Sequence, residues 1–334
     1  MRPLIAALVR LVVRLALLLV VLGAVTYAVL WMIFPSDPID LEPSFDAASI
    51  GEDVDAYLAT AEAGTPALKD GVEKRVIWAG DPGTKTDLAF VYIHGFSATS
   101  EEIRPVPDNV ASYFNANLYY ARLTGHGRDG PAMAEAEANN WIDDLAEAIA
   151  IGQRIGEKVI LIGTSAGAAL EVIAATSPDL ADALTGVVLV SPAIELRSRY
   201  SWLLNWPGAH WFVPLLLGET RSFAPTNDDH AKYWTTQYPT RAIIPLAQIM
   251  QAARQADVSA TSVPALFFIS DEDQVIDPTA SRNLAARWGA PHQIVPVVLG
   301  EDDDSSHHVI AGDIRSPDQT QAVTRRIIVW VSEL

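Results

Sequence analysis

The stretch Val159–Leu170, VILIGTSAGAAL, constrains the fold more than any other part of the chain. Its opening apolar run reads as a buried strand and its Ala-rich end as a helix. Ser165 stands at the corner, with Gly163 and Gly167 two residues away on either side. A strand that turns at once into a helix crowds its corner residue. Flanking glycines relieve the crowding, so the serine hydroxyl can stand clear at the C-terminal edge of a sheet. The helix starting there adds free N–H groups and the positive end of its dipole. A plain small-residue turn accounts for the glycines but not for a serine at the apex.

The same alternation runs through most of the chain. Strands are expected at 74–80, 87–96, 116–123, 158–163, 186–193, 264–270 and 293–300. Helices are expected around SEEIRPVPDNVASYF, over 139–156 (Trp141, Ile142, Leu145, Ile149 and Ile151 close to a helical period), after Ser165, and over 317–333. Strands alternating with helices predict an α/β fold with a mostly parallel central sheet flanked by helices. Between Ile194 and about Ala260 no convincing strand is visible and aromatics crowd in, among them Trp202, Trp206, Trp211, Phe212, Phe223, Tyr233, Trp234 and Tyr238. That stretch is too long for a connection and too apolar for a solvated loop, so a helical cap insertion at about 195–260 is expected. Its aromatics form a small core of their own or line an acyl-binding cleft.

Residues Leu15–Phe34 carry no charge, and twenty residues at about 1.5 Å each match the hydrocarbon thickness of a bilayer. Arg2, Arg10 and Arg14 precede the run, while Asp37, Asp40 and Glu42 follow it. Residues 1–34 are therefore expected to be a membrane anchor with a cytoplasmic N-terminus, the chain after Pro35 being exported to the periplasmic or extracellular side. A cleaved signal peptide is the competing reading, against which stand the length of the run and the lack of an A-x-A site. Residues 35–72, rich in Pro, Ala and acids, read as a linker with one helix from Asp53 to Ala63, leaving 73–334 as the folded domain. The chain has 41 acidic and 23 basic residues, a surface that repels phosphate backbones and speaks against nucleic-acid binding. It has no cysteine, which removes disulfides, thiolate metal sites and cysteine nucleophiles together.

With Gly163-Thr164-Ser165-Ala166-Gly167 set between a strand and a helix, the chain resembles the α/β-hydrolase superfamily, and within it the monoglyceride-lipase and carboxylesterase branch. The resemblance covers roughly residues 74–333. It implies a triad in the order Ser, acid, His. The acid would follow the strand PALFFIS, where Asp273 matches the family register and Asp271 and Asp277 are alternatives. The base would follow the last strand, where His308 directly precedes two apolar residues and His307 is the rival. The oxyanion donors implied are the N–H groups of Ala166 and of Phe96, in the His94-Gly95-Phe96-Ser97 loop. His94 and the LTGHGRDG turn around His126 read as structural.

The resemblance thus implies an esterase or lipase-like serine hydrolase acting with Ser165, Asp273 and His308 and with neither cofactor nor metal, while the aromatic insertion favours a hydrophobic ester or lipid substrate and the N-terminal run places the site at the membrane. The acids of 271–277 lack the glycine and spacing of a calcium loop, and no histidine pair has zinc-ligand spacing. A cofactor-free perhydrolase would keep the same triad. A degenerate hydrolase fold serving as a membrane-bound binding or scaffold protein is the alternative from another class.

Overall fold

The computed structural model describes residues 2–33 and 39–334. Seven strands form one sheet in the order β1-β3-β2-β4-β5-β8-β9. They are β1 (Arg75–Ile77), β2 (Thr86–Ile93), β3 (Asn117–Tyr120), β4 (Gly156–Thr164), β5 (Leu184–Val190), β8 (Ala265–Ile269) and β9 (His292–Pro296). Only β1 pairs antiparallel, against β3; every other pairing is parallel. The strand carrying the VILI run, β4, is thus the central one. Side chains along it alternate faces, Val159 and Leu161 entering one apolar cluster and Ile160 and Ile162 the other. The first cluster is closed by α4 (Ala138–Ile155), α5 (Ala166–Thr176), α8 (Ile243–Gln255) and α9 (Pro278–Ala285), the second by α3 (Val106–Tyr113) and α10 (Pro317–Val331). A sheet covered on both faces explains why its strands are continuous apolar runs.

The insertion between β5 and β8 contains α6 (Ala209–Leu217), β6 (Thr220–Ser222), α7 (Asp228–Tyr233) and β7 (Gln237–Pro239), then α8. The expectation of no strand here needs correction, because β6 and β7 pair as a short antiparallel ribbon. Three-residue strands with mostly exposed side chains leave no hydrophobic periodicity to read. The insertion's aromatics divide: Trp234 is buried, Tyr238 packs against Phe96, and Trp202 and Trp211 face outward.

Residues 39–72 are not a free linker. Asp53 caps α2 (Val54–Ala63) by accepting from the Ala56 N–H, and Ile50, Val54 and Leu58 enter the first core cluster. Polar bonds then fasten the segment to α4: Ser44 donates to Asp143 through both its N–H and its hydroxyl, and the Tyr57 hydroxyl donates to Glu147 at 2.7 Å. At the end of α2, Glu62 takes two parallel bonds from the Arg122 guanidinium, at 2.9 and 3.0 Å, with both residues buried. Composition suggested a linker because the few apolar residues that dock it are spread among Ala and acids.

Ahead of it, α1 (Arg2–Ile33) is long and apolar enough to cross a membrane, with mean hydropathy 2.7 over Ile5–Ile33 and side chains exposed along nearly its whole length. Phe34, Pro35 and Asp37, which figure in the expected anchor and its flank, lie outside the described residues. Near its end Tyr27 meets Trp206 edge-on, at 5.5 Å between ring centroids.

Removing one partner of a buried ion pair strands the other charge, which costs about 3–5 kcal/mol. Glu62→Ala is therefore expected to lower the unfolding free energy by about that amount in a denaturant titration. An unchanged midpoint would show that the Glu62–Arg122 pair does not fasten α2 to the folded body.

Candidate active site

The site lies at the C-terminal edge of β4. Ser165 adopts φ 53° and ψ −107°, a conformation costly for a residue with a side chain. Three backbone bonds hold it there: its N–H donates to Val190 C=O at 2.9 Å, and its C=O accepts from Ala169 and Ala193. The two glycines are sterically required. A Cβ on Gly167 would lie 2.0 Å from Ile93 O, and one on Gly163 would lie 2.7 Å from Ala168 N. Helix α5 can therefore start almost in contact with β2 and β4, leaving Ser165 at its mouth.

His308, in the loop after β9, brings Nε2 to 2.9 Å from Ser165 Oγ and Nδ1 to 2.7 Å from Asp273 Oδ2. A carboxylate only accepts, so Nδ1 carries the proton and Nε2 keeps a lone pair toward the serine hydroxyl. The other oxygen of Asp273 accepts from the N–H groups of Val275 and Ile276, at 2.8 and 2.9 Å, which fixes the carboxylate plane. Burial works against the imidazolium, but the charge and hydrogen bond of Asp273, with Glu102 and Asp304 behind it, outweigh burial and raise the His308 pKa. Such a line can take the serine proton onto His308 while Asp273 stabilises the cation that forms.

The alternatives are engaged elsewhere. Asp271 pairs with Arg282, Asp277 caps α9 at Thr279 N–H, and His307 lies 3.4 Å from Glu272. The His94–Phe96 loop packs against the serine: a Cβ on Gly95 would be 3.2 Å from Ser165 Cβ. His94 and His126 are both buried and held neutral by burial, His94 near pKa 4 and His126 well below its ordinary value. His94 Nε2 accepts from Leu123 N–H, a structural bond. Among the described residues no three His, Asp or Glu side chains gather where they could hold a metal ion.

Two acids that sequence reasoning missed also shape the site. Asp304 Oδ2 accepts from the N–H groups of His308 and Val309 and from the Ser306 hydroxyl, folding the histidine loop around itself. Burial would raise its pKa, but these donors and Arg315 bring it down to about 2. Arg315 also reaches Thr226 and His230 of the insertion, so one cation joins the histidine loop to the cap. Glu102, in the turn before α3, is buried beside Gly95 and Tyr92. Both acids sit in acid-rich stretches, EDDD and SEE, whose composition signals solvated surface.

The sequence and the fold have known counterparts. The family described as Hydrolase_4, serine aminopeptidase S33, matches residues 84–298. The chain belongs to that family. It is an α/β-hydrolase, and it resembles the monoglyceride-lipase and esterase branch. A thermostable monoacylglycerol lipase of Bacillus sp. (strain H-257) is 24% identical over 192 residues, which cover 57% of this chain and 72% of the relative. Among solved structures, one described under LipS and LipT, two metagenome-derived lipolytic enzymes, superposes with TM-score 0.65 at 18% identity, covering 80% of this chain and all of the other. A soluble variant of monoglyceride lipase from Saccharomyces cerevisiae gives TM-score 0.56 at 14% identity, covering 80% and 95%.

A raised His308 pKa has a kinetic consequence. Nε2 can accept the serine proton only when it is unprotonated, so reactivity is lost as pH falls through that pKa. The rate at which a fluorophosphonate modifies Ser165 is expected to rise with pH along a limb centred above 6.5, the ordinary imidazole value. A limb centred below 6.5 would contradict the electrostatics of the site.

Proposed function

We propose that the protein is a membrane-anchored serine hydrolase that cleaves carboxylic esters with a hydrophobic acyl group. The observation that carries this reading is the continuous hydrogen-bonded line from Ser165 Oγ through His308 to Asp273. Ser165 Oγ attacks the ester carbonyl as His308 Nε2 takes its proton, giving a tetrahedral oxyanion held by the N–H groups of Ala166 and Phe96. The intermediate collapses, the C–O bond to the alcohol breaks, and His308 returns the proton to the leaving oxygen. Water, activated by the same imidazole, then attacks the acyl-serine and releases the acid and free Ser165. Asp273 stays ionised throughout and holds the imidazole in the productive tautomer. No cofactor enters this scheme.

Three observations support an acyl ester over a charged substrate. The loop of the proposed oxyanion donor is walled by aromatic rings, Phe96 meeting Tyr238 of the cap and Trp141 of α4. The cap is tied to that loop where Thr235 N–H donates to Ser97 C=O at 2.8 Å. The curated relative and two of the superposing structures are described as monoacylglycerol or monoglyceride lipases. The anchor reading rests on α1, whose span Ile5–Ile33 has 29 residues and is about 43 Å long at 1.5 Å per residue, uncharged after Arg10 and Arg14 near its start and followed by Asp40 and Glu42. It would hold the site beside lipid.

Full-length protein in detergent is expected to hydrolyse p-nitrophenyl acyl esters and to be labelled by a fluorophosphonate. Ser165→Ala should abolish labelling and lower kcat by about 10⁴-fold or more, and His308→Ala should do comparable damage, while His307→Ala stays within about threefold of wild type. Folded wild-type protein that neither labels nor cleaves any ester in a series of acyl chain lengths would refute the hydrolase reading. Full activity in His308→Ala would move the base elsewhere. For topology, an alkaline phosphatase reporter fused after Leu334 should be active on the exported side, and a silent fusion would reverse the orientation.

A further inference from the structure

We propose that Glu102 is a positioning residue that holds the two halves of the oxyanion site, the His94–Phe96 loop and the Ser165 turn, in register. The proposal rests on the hydrolase reading above and adds a residue to that site. Glu102 lies in the turn before α3 and is 2% exposed. Its Oε2 accepts from the Gly95 N–H at 2.6 Å and from the Tyr92 hydroxyl at 2.9 Å. The Tyr92 oxygen is in turn 3.1 Å from Thr164 Oγ1. Gly95 immediately precedes Phe96, and Thr164 immediately precedes Ser165. One carboxylate oxygen is therefore tied directly to Gly95 within the first half of the site and, through a buried phenol, to Thr164 at the start of the second.

Close packing makes the link stiff. A Cβ built on Gly95 would lie 2.7 Å from Glu102 Oε1 and 3.2 Å from Ser165 Cβ, so the bare glycine is sandwiched between the acid and the nucleophile's side chain. Any drift of Glu102 moves the loop relative to Ser165, and donors misplaced by a fraction of an ångström lose much of their hold on an oxyanion. What the site needs from Glu102 is an acceptor. Burial lifts its carboxyl up to about 7, against the Gly95 N–H, the Tyr92 hydroxyl and the nearby His308, which favour the anion. Of the charged neighbours on its own segment, Glu101 and Arg104 bond to one another and to Arg75 and Asp108. A full negative charge close to a developing oxyanion would oppose it, so a neutral acceptor of the same shape should serve nearly as well.

The test uses full-length protein in detergent, with active serines counted by fluorophosphonate titration and turnover of a p-nitrophenyl ester expressed per titrated serine. Glu102→Ala is expected to lower kcat about 10–100-fold with KM within about twofold, less than the roughly 10²–10³ of removing an oxyanion donor outright. Glu102→Gln should recover to within about fivefold of wild type. Tyr92→Phe, which cuts only the branch to Thr164, should lower kcat about 3–10-fold, and it decides the matter if Glu102→Ala fails to fold. A purely structural acid would shift the melting temperature and the fraction of titratable serine but not kcat per serine. Wild-type kcat in folded Glu102→Ala or in Tyr92→Phe, a loss confined to KM, or equal damage from Gln and Ala would each overturn the proposal while leaving the hydrolase reading intact. Wild-type protein with no titratable serine would overturn both.

Discussion

The backbone turn at Ser165 is the constraint on which the site depends. A serine at positive φ is not a conformation that a chain adopts by preference, and it costs on the order of 1–3 kcal/mol. It persists because β4 is the central strand of the sheet and because Val190, Ala193 and Ala169 each bond to the serine's own peptide groups. The neighbouring glycines let α5 approach closer than any Cβ would permit. Everything else in the site is aimed at the hydroxyl so presented. The histidine loop arrives from beyond β9, the acid from beyond β8, and the His94–Phe96 loop from beyond β2, all at the same sheet edge, because parallel strands deliver their C-termini together.

Around that edge the protein buries more charge than a hydrophobic core would invite, and the buried acids differ in how they are compensated. Asp273 and Asp304 are satisfied by backbone N–H donors that also shape their loops. Glu62 is met by a two-pronged guanidinium. Glu102 has two donors and a pKa lifted to about 7, whereas Glu171, buried behind the turn on α5, has no hydrogen-bond partner among the described residues, and burial pushes its carboxyl well above the ordinary range. The arrangement grades from acids whose hydrogen bonds orient His308 to one that merely packs. Arg315 extends the network into the cap, so the loop bearing His308 and the insertion above it share a common tie.

Much of this was legible in the residues. The strand, corner and helix of VILIGTSAGAAL are local events, set by apolar runs, helix formers and glycine, and the structure has them where the pattern put them. The overall alternation predicted a mostly parallel sheet, which is present. Local signals failed where burial came from elsewhere in the chain. The β6–β7 ribbon has exposed residues and no periodicity, and residues 39–72 look like a tether because their anchoring contacts are made with α4 and Arg122, far along the sequence. Asp304 and Glu102 look like surface acids for the same reason.

The sequence by itself determined the class of fold, the apolar N-terminal helix and the serine at a strand–helix corner, since each is read from runs of neighbouring residues rather than from contacts between distant ones. The order Ser, Asp, His along the chain followed from likeness to a family rather than from any local physics. Only the tertiary structure decided which acid and which histidine meet that serine. Ser165 and His308 are 143 positions apart, and Asp273 and His308 are 35 apart. At such separations neither composition nor periodicity carries distance information. Sheet order and loop hydrogen bonds alone bring His308 to Ser165, send His307 toward Glu272, and bury an acid from SEE against the loop of the proposed oxyanion donor.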